Sequence, residues 1–360
     1  MTAGKIKVLV VDDSAVIRQL LTEIINAQPD MEVVGTASDP LIARDKIKKL
    51  LPDVLTLDIE MPRMDGITFL RNLMRLRPMP VIMISTLTEV GADITLEALD
   101  IGAFDFLPKP RENLGKGLVD YQEDIAQKIR AAARANLLQL EKRSEQQKVS
   151  VLAKPLMRLP DYAPRPGALV AIGASTGGTE AIKEVLVRLP ANCPPVVITQ
   201  HIPPVFSKSY ASRMDSTCAM NVHEATHHQK LLPGNAYIAP GGYHLLVCQG
   251  ADGLFIRLNE GEKVNLHRPS VDVMFESIVS LGLLGAVGVL LTGMGSDGAR
   301  GLLHMKEQGC HTIIQDQETS VVWGMPGAAY QIHAHCEVKP LDAVAARILT
   351  LTNRSRINEA

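Results

Sequence analysis

Residues Gly173-Ala-Ser175-Thr-Gly177 hold one hydroxyl at the centre of a Gly-x-Ser-x-Gly turn, directly after the apolar run Leu169-Val-Ala-Ile172. A strand feeding such a turn and then a helix lifts the serine clear of the backbone. It also sets the hydroxyl beside unpaired helix N–H groups that can stabilise an oxyanion. The same Gly-rich turn suits a phosphate cradle, although the lysine of a Walker loop is missing here. A nucleophilic serine needs a base, and the base needs an orienting acid. His201 stands at the end of Pro195-Val-Val-Ile-Thr-Gln200, and Asp297 lies in Gly293-Met-Gly-Ser-Asp-Gly298, after the run Gly285 to Thr292. All three positions follow strand-like runs, so parallel strands would bring them to one edge of a sheet. There His201 would act as general base, and Asp297 would accept its ring N–H and hold its tautomer. A plain helix N-cap is the alternative for Asp297. The chain order Ser175, His201, Asp297 differs from that of α/β-hydrolases, chymotrypsin and subtilisin, so the turn is not a lipase-type elbow.

A second constellation lies in the first half. Asp12, Asp13, Asp58, Ser85 and Lys109 each stand where an apolar strand-like run ends. Carboxylates crowded at one sheet edge repel unless a cation intervenes, and a hard divalent ion such as Mg²⁺ takes oxygen ligands of this kind. Lys109 would add positive charge opposite, so that metal and lysine together could neutralise a phosphoryl group on one carboxylate. Each aspartate taken singly could instead be a helix N-cap.

The elements that must position these groups alternate strand and helix five times in the first half, beginning with Lys5 to Val11. That alternation implies a doubly wound parallel sheet. The second half repeats it, but Asn221 to Leu266 reads as β-rich. Runs at Asn235–Ala239, His244–Cys248 and Leu254–Leu258 are joined by Pro-Gly, Gly-Gly and Asp-Gly turns, as expected for inserted hairpins shaping a cleft. The expected fold is therefore α/β. A receiver or flavodoxin-like parallel-sheet domain (1–125) and a linker (126–166) precede a Rossmann-like domain with an antiparallel β insertion (167–355). The linker reading rests on the loss of periodicity after Ser144 and the proline-rich stretch Leu156 to Pro166. At 360 residues two cores are expected, and a net charge of −2 argues against broad nucleic-acid or polybasic membrane binding. The five cysteines include no Cys-x-x-Cys, which fits a reducing compartment. No signal-peptide pattern opens the sequence, and the apolar stretch Leu281 to Thr292 is too short to cross a bilayer, so a cytoplasmic location without membrane insertion is expected.

Asp12-Asp13, Asp58-Ile-Glu-Met-Pro-Arg-Met-Asp-Gly66, Ser85 and Gly102-Ala-Phe-Asp-Phe-Leu-Pro-Lys109-Pro110 resemble a response-regulator receiver domain. The resemblance implies that Asp58 is the phosphoacceptor, with Asp12, Asp13, Asp58 and the Glu60 carbonyl serving Mg²⁺. It makes Lys109 the partner of the phosphoryl group, Ser85 the switch hydroxyl and Phe106 the switch aromatic, with a histidine kinase as phosphodonor. Gly173-Ala-Ser-Thr-Gly-Gly178, Thr199-Gln-His-Ile-Pro203, Arg268-Pro-Ser-Val-Asp272, the Gly293–Gly298 loop and Trp323-Gly-Met-Pro326 resemble the chemotaxis methylesterases of the CheB family. That resemblance implies hydrolysis of glutamyl methyl esters on the cytoplasmic helices of chemoreceptors, and deamidation of certain receptor glutamines. It carries the triad Ser175, His201 and Asp297, an oxyanion contact at the Met294 N–H and Thr176 lining the site, with no cofactor for the esterase step. It also implies that the receiver restrains the esterase until Asp58 is phosphorylated. The spacing alone assigns no chemistry to His267–Asp272 or Trp323–Pro326. A DNA-binding second half lacks a helix-turn-helix pattern and a basic stripe. A nucleotide-binding module would show nucleotide protection and indifference to serine-directed reagents.

Overall fold

Strand β1 (Ile6–Val11) is buried along its last four residues, as a strand covered on both faces must be. The computed structural model describes residues 4–61, 64–86, 88–109, 117–134 and 162–354. After β1 come α1 (Ala15–Asn26), β2 (Met31–Ala37), α2 (Pro40–Leu50), β3 (Val54–Asp58) and α3 (Gly66–Leu76). Then follow β4 (Val81–Ser85), α4 (Glu89–Ile101), β5 (Asp105–Pro108) and α5 (Gly117–Arg134). The strands form one parallel sheet in the order β2-β1-β3-β4-β5. The order reverses between β1 and β3, so the crevice at their carboxyl ends opens where Asp12 and Asp58 stand. Ser14 caps α1, Asp39 caps α2, Asp65 caps α3 and Thr88 caps α4. Asp12, Asp13 and Asp58 therefore do not serve as the helix N-caps.

The second unit contains β6 (Leu169–Ala174), α6 (Gly178–Leu186), β7 (Val196–Gln200), α7 (Pro204–Asp215), β8 (Asn221–Glu224) and β9 (Asn235–Ile238). It continues with β10 (His244–Gly250), β11 (Gly253–Asn259), α8 (Val271–Val279), β12 (Ala286–Leu290) and α9 (Ala299–Glu307). β13 (His311–Gln315), α10 (Met325–Gln331), β14 (Glu337–Lys339) and α11 (Leu341–Thr352) complete it. Seven strands run parallel in the order β14-β13-β12-β6-β7-β9-β8, and β10 pairs antiparallel with β11 alone. The three central strands β12, β6 and β7 are buried throughout. Ser175, His201 and Asp297 follow these three, at or shortly beyond their carboxyl ends.

Two expectations change. The run at Asn235 is not a hairpin arm: β9 joins the main sheet beside β7, with Val196 opposite Ala236. Pro240 to Tyr243 still form a tight turn, the Tyr243 N–H donating to the Pro240 carbonyl at 3.2 Å, but that turn leads out of the parallel sheet into β10. The 126–166 linker is also shorter than expected. α5 runs on through Arg134, with Ile129 and Ala132 buried and Arg130 paired to Asp30 at 2.7 Å. Tyr162 is buried against α11, its hydroxyl 2.9 Å from Thr352 Oγ1. The part of the linker at 135–161 lies outside the described residues.

Glu337 on β14 gathers His311 Nε2 at 2.7 Å, Arg347 Nε at 2.8 Å and Lys339 Nζ at 3.0 Å. Burial would raise its carboxyl, but Arg347, Lys339 and His311 outweigh burial and pull it from 4.5 to about 2. A depressed carboxyl stabilises the fold above its unfolded pKa and ceases to do so as the pH falls through the folded value. We therefore expect Glu337→Gln to cost ~1–2 kcal/mol at neutral pH, after allowance for solvent screening. The difference from wild type should shrink steadily as urea midpoints are followed from pH 5 toward pH 2.

Candidate active site

β6 ends at Ala174, and the chain turns through Ser175–Gly177 into α6. Gly177 is left-handed (φ +74°), which a side chain would disfavour. The Ser175 N–H donates to the Thr292 carbonyl at 3.0 Å, tying the turn to the exit of β12. β7 places His201 alongside: its N–H donates to the Ala174 carbonyl at 3.2 Å. The imidazole then bridges the expected partners, with Nδ1 3.1 Å from Ser175 Oγ and Nε2 2.8 Å from Asp297 Oδ2. An ionised carboxylate only accepts, so Nε2 carries the proton and Nδ1 is free to receive one from Ser175. A half-turn of the ring exchanges each nitrogen for a carbon, so the side-chain position, not a ring flip, decides that Nδ1 faces the serine.

Asp297 does not cap α9, whose N-cap is Gly298 and has no side-chain cap bond. Its carboxylate instead sits on the N-terminus of α8. Oδ2 accepts from the Val271 N–H at 2.6 Å as well as from His201. Oδ1 accepts from Ser270 Oγ at 2.8 Å, Asn265 Nδ2 at 2.7 Å and the Asp272 N–H at 3.3 Å. Burial alone would raise this carboxyl. The His201 bond and charge, with Asn265 and the Val271 N–H, overcome burial and hold it well below the usual carboxylate range.

Gly293 closes on the nucleophile so tightly that a Cβ there would lie 2.9 Å from Ser175 Cβ and 2.3 Å from Met325 Sδ. The Gly293 carbonyl accepts from the N–H groups of Gly324 and Met325. The next residue, Met294, is half-buried, and its N–H makes no hydrogen bond to the described residues. Thr176 is 3% exposed and receives a bond from Thr292 Oγ1 on its carbonyl, so it sits beneath the turn.

In the first unit, oxygens of Asp12, Asp13 and Asp58 lie within 4.8 Å of one another. Lys109 Nζ is 2.7 Å from Asp58 Oδ2 and 3.3 Å from Asp12 Oδ2. Burial pushes the Asp58 carboxyl up to about 6 against the pull of the Lys109 hydrogen bond, and burial also raises Asp12. Asp12 Oδ2 is buried without a hydrogen bond, the lysine being ion-paired but out of line. A hard oxygen-seeking cation fits such a set. Glu60 follows at the rim, its N–H 3.3 Å from Asp58 Oδ1. Ser85 and Phe106 are placed differently. The Ser85 hydroxyl bonds Thr95 Oγ1 at 2.7 Å, on α4, and the Phe106 ring is buried, with Lys128 Nζ 5.7 Å from its centroid.

Comparison with known proteins gives a family for each half of the chain. The family profile for the response regulator receiver domain matches residues 8–116, and that for CheB methylesterase matches 170–348. A protein-glutamate methylesterase/protein-glutamine glutaminase of Hydrogenovibrio crunogenus is 51% identical over 98% of this chain and 100% of its own length. A homologous protein of that name from Cupriavidus metallidurans is 52% identical over 97% of this chain and 96% of its own. The crystal structure of the Thermotoga maritima CheB methylesterase catalytic domain is 37% identical and superposes with a TM-score of 0.51. It covers 52% of this chain and all of that one. The chain belongs to the CheB methylesterase family. It is a hydrolase with a receiver domain ahead of the catalytic one.

Several residues of this CheB-family site escaped the sequence reading. Asn265, Ser270 and the Val271 N–H hold Asp297, and His267 stacks on His201 with ring centroids 3.6 Å apart. Gln200 Nε2 donates to the carbonyls of both Ser175 (2.9 Å) and His201 (3.2 Å), clamping the two strand ends. Ser270 ahead of an apolar helical pattern is a legible N-cap, but nothing local aims that helix at Asp297. Trp323–Pro326 likewise acquires a role, its backbone pinning Gly293.

Proposed function

We propose that this protein removes methyl esters from glutamate side chains of chemoreceptor cytoplasmic domains, and deamidates receptor glutamines, through Ser175, His201 and Asp297. We place it in the cytoplasm, under control of phosphorylation at Asp58. The bridging of Ser175 Oγ and Asp297 Oδ2 by one imidazole is the observation that carries the catalytic part. Names of the homologues supply the substrate class. Among the described residues no helix is long and apolar enough to cross a membrane.

In this reading Ser175 Oγ attacks the ester carbonyl while His201 Nδ1 takes its proton, and Asp297 stabilises the imidazolium through Nε2. The Met294 N–H meets the oxyanion, and Thr176 supports the turn from below. The tetrahedral adduct collapses as Nδ1–H protonates the departing methoxide to methanol, or, in the glutamine reaction, the leaving –NH₂ nitrogen, which departs as ammonia. Water, deprotonated by His201, then cleaves the acyl-enzyme and restores Ser175. No cofactor is required by these steps.

Asp12, Asp13, Asp58 and the Glu60 carbonyl would hold Mg²⁺ in the receiver, which would neutralise charge on a phosphoryl group transferred to Asp58. Lys109 would pair with that group, having released Asp12 and Asp58. Ser85 would leave Thr95 to reach it, with Phe106 following. A histidine kinase is the proposed donor, and the phosphorylated receiver would lift its restraint on the esterase.

Methanol release from radiolabelled methylated receptor membranes tests both halves, with and without a small phosphodonor and Mg²⁺. Wild type should release methanol faster with the phosphodonor, whereas Asp58→Asn should hold a basal rate that the phosphodonor leaves unchanged. Equal stimulation of Asp58→Asn would move the phosphoacceptor elsewhere.

A further inference from the structure

Residues Val264 to His267 form a two-residue reverse turn, closed by Val264 N–H to the His267 carbonyl at 3.1 Å and by the reciprocal bond at 2.9 Å. Both central residues are left-handed, Asn265 at φ +52° and Leu266 at φ +69°. Glycine or asparagine normally fills such positions, and a leucine there costs ~1 kcal/mol. Leu266 is 64% exposed, so its own burial does little to offset that cost. Strain of this kind persists where the surroundings use the geometry it creates.

Two residues of the turn, one central and one at its end, reach the relay. Asn265 Nδ2 donates to Asp297 Oδ1 at 2.7 Å and to Asp272 Oδ2 at 2.8 Å, so its amide stands between two carboxylates. Burial raises Asp272, and the Asp297 charge adds to this against the Gly301 N–H, so an amide donor shared by both acids relieves their repulsion. Two residues on, the His267 ring lies over the His201 ring at 3.6 Å and 18° from parallel. We propose that the Val264–His267 turn is a positioning device for the Ser175–His201–Asp297 relay. Asn265 sets the carboxylate plane, and the His267 face fixes the imidazole plane so that Nδ1 stays on Ser175. His244 anchors the turn's far side, its Nε2–H donating to the Glu262 carbonyl at 2.8 Å and its Nδ1 accepting from Ser270 N–H at 3.2 Å. The inference rests on the esterase reading of the site.

The test uses the full-length chain, kcat and KM on methylated receptor membranes, and the proton NMR resonance of His201 Nε2–H in ¹⁵N-histidine protein. Asn265→Gly keeps the left-handed backbone and removes the amide. It should lower kcat about 10-fold with KM unchanged, and Asn265→Asp, which adds a third carboxylate, about 100-fold. His267→Ala should lower kcat about 10-fold, and His267→Phe, which restores a flat ring, should return it to within about threefold of wild type. The Nε2–H resonance should be lost to solvent exchange in Asn265→Gly and His267→Ala and kept in His267→Phe. Wild-type kcat and an intact resonance in Asn265→Gly and His267→Ala would overturn the proposal. A rise in KM at unchanged kcat would do so too, making the turn a substrate contact. If the wild type hydrolyses no methyl ester, the esterase reading falls and the resonance alone decides the positioning role.

Discussion

Ser175→Ala is expected to lower methanol release by about 10⁴- to 10⁶-fold while leaving the folded protein intact. The hydroxyl is half-exposed, and the only side-chain bond it makes among the described residues is to His201, so its loss strands no buried donor. The turn around it is held by backbone, through the Thr292 carbonyl and the Gly178 N–H on the Ser175 carbonyl. Tm should therefore match wild type, and receptor binding should persist. Retained turnover would remove Ser175 as nucleophile. Joint replacement with His201→Ala should cost little more than the first change, because the members of a relay fail as a unit.

Asp297→Asn is expected to lose about 10⁴ in kcat and to destabilise the second domain as well. The side chain's partners explain why. His201 Nε2, the Val271 and Asp272 N–H groups, Asn265 Nδ2 and Ser270 Oγ all donate to this carboxylate. An amide in its place turns an NH₂ toward donors whichever way it flips, and of these only the Ser270 hydroxyl and, by changing tautomer, the His201 ring can reverse their roles. With the amide nitrogen toward His201, the favoured tautomer puts the proton on Nδ1 and blinds the base. With it toward Asn265, two NH₂ groups collide and Asp272 loses its shared donor. Each stranded buried donor costs roughly 1–3 kcal/mol. Thermal unfolding should show the loss together with the kinetics. A variant with near wild-type turnover would mean that His201 keeps its orientation without the carboxylate.

How much of this was legible beforehand follows from the range over which each interaction acts. The doubly wound parallel sheets could be read because strands buried on both faces must be continuously apolar and parallel pairing demands a crossover between them. Their carboxyl ends were then the places to look, and Asp12, Asp58, Lys109, Ser175, His201 and Asp297 all stand there. The β-rich middle reads as hairpins because local alternation looks alike in an arm and in a sheet strand. Only the pairing of β9 with β7 and β8, distant in sequence from any local turn signal, places it in the parallel sheet. At the two margins of the expected linker, α5 and the Tyr162 segment are held by partners distant in sequence, Asp30 and Thr352, which no local pattern announces.

Residue type and spacing alone determined two α/β domains, the order in which their functional side chains occur, and the chemistry those side chains could do. Tertiary structure alone decided that His201 offers Nδ1 to the serine, that Asp297 rests on the N-terminus of α8, and that the Asn265–His267 turn folds over them. Each of these is a contact between segments 25 or more residues apart in sequence, where direction and distance depend on how whole elements pack. No local preference of the chain encodes such a direction.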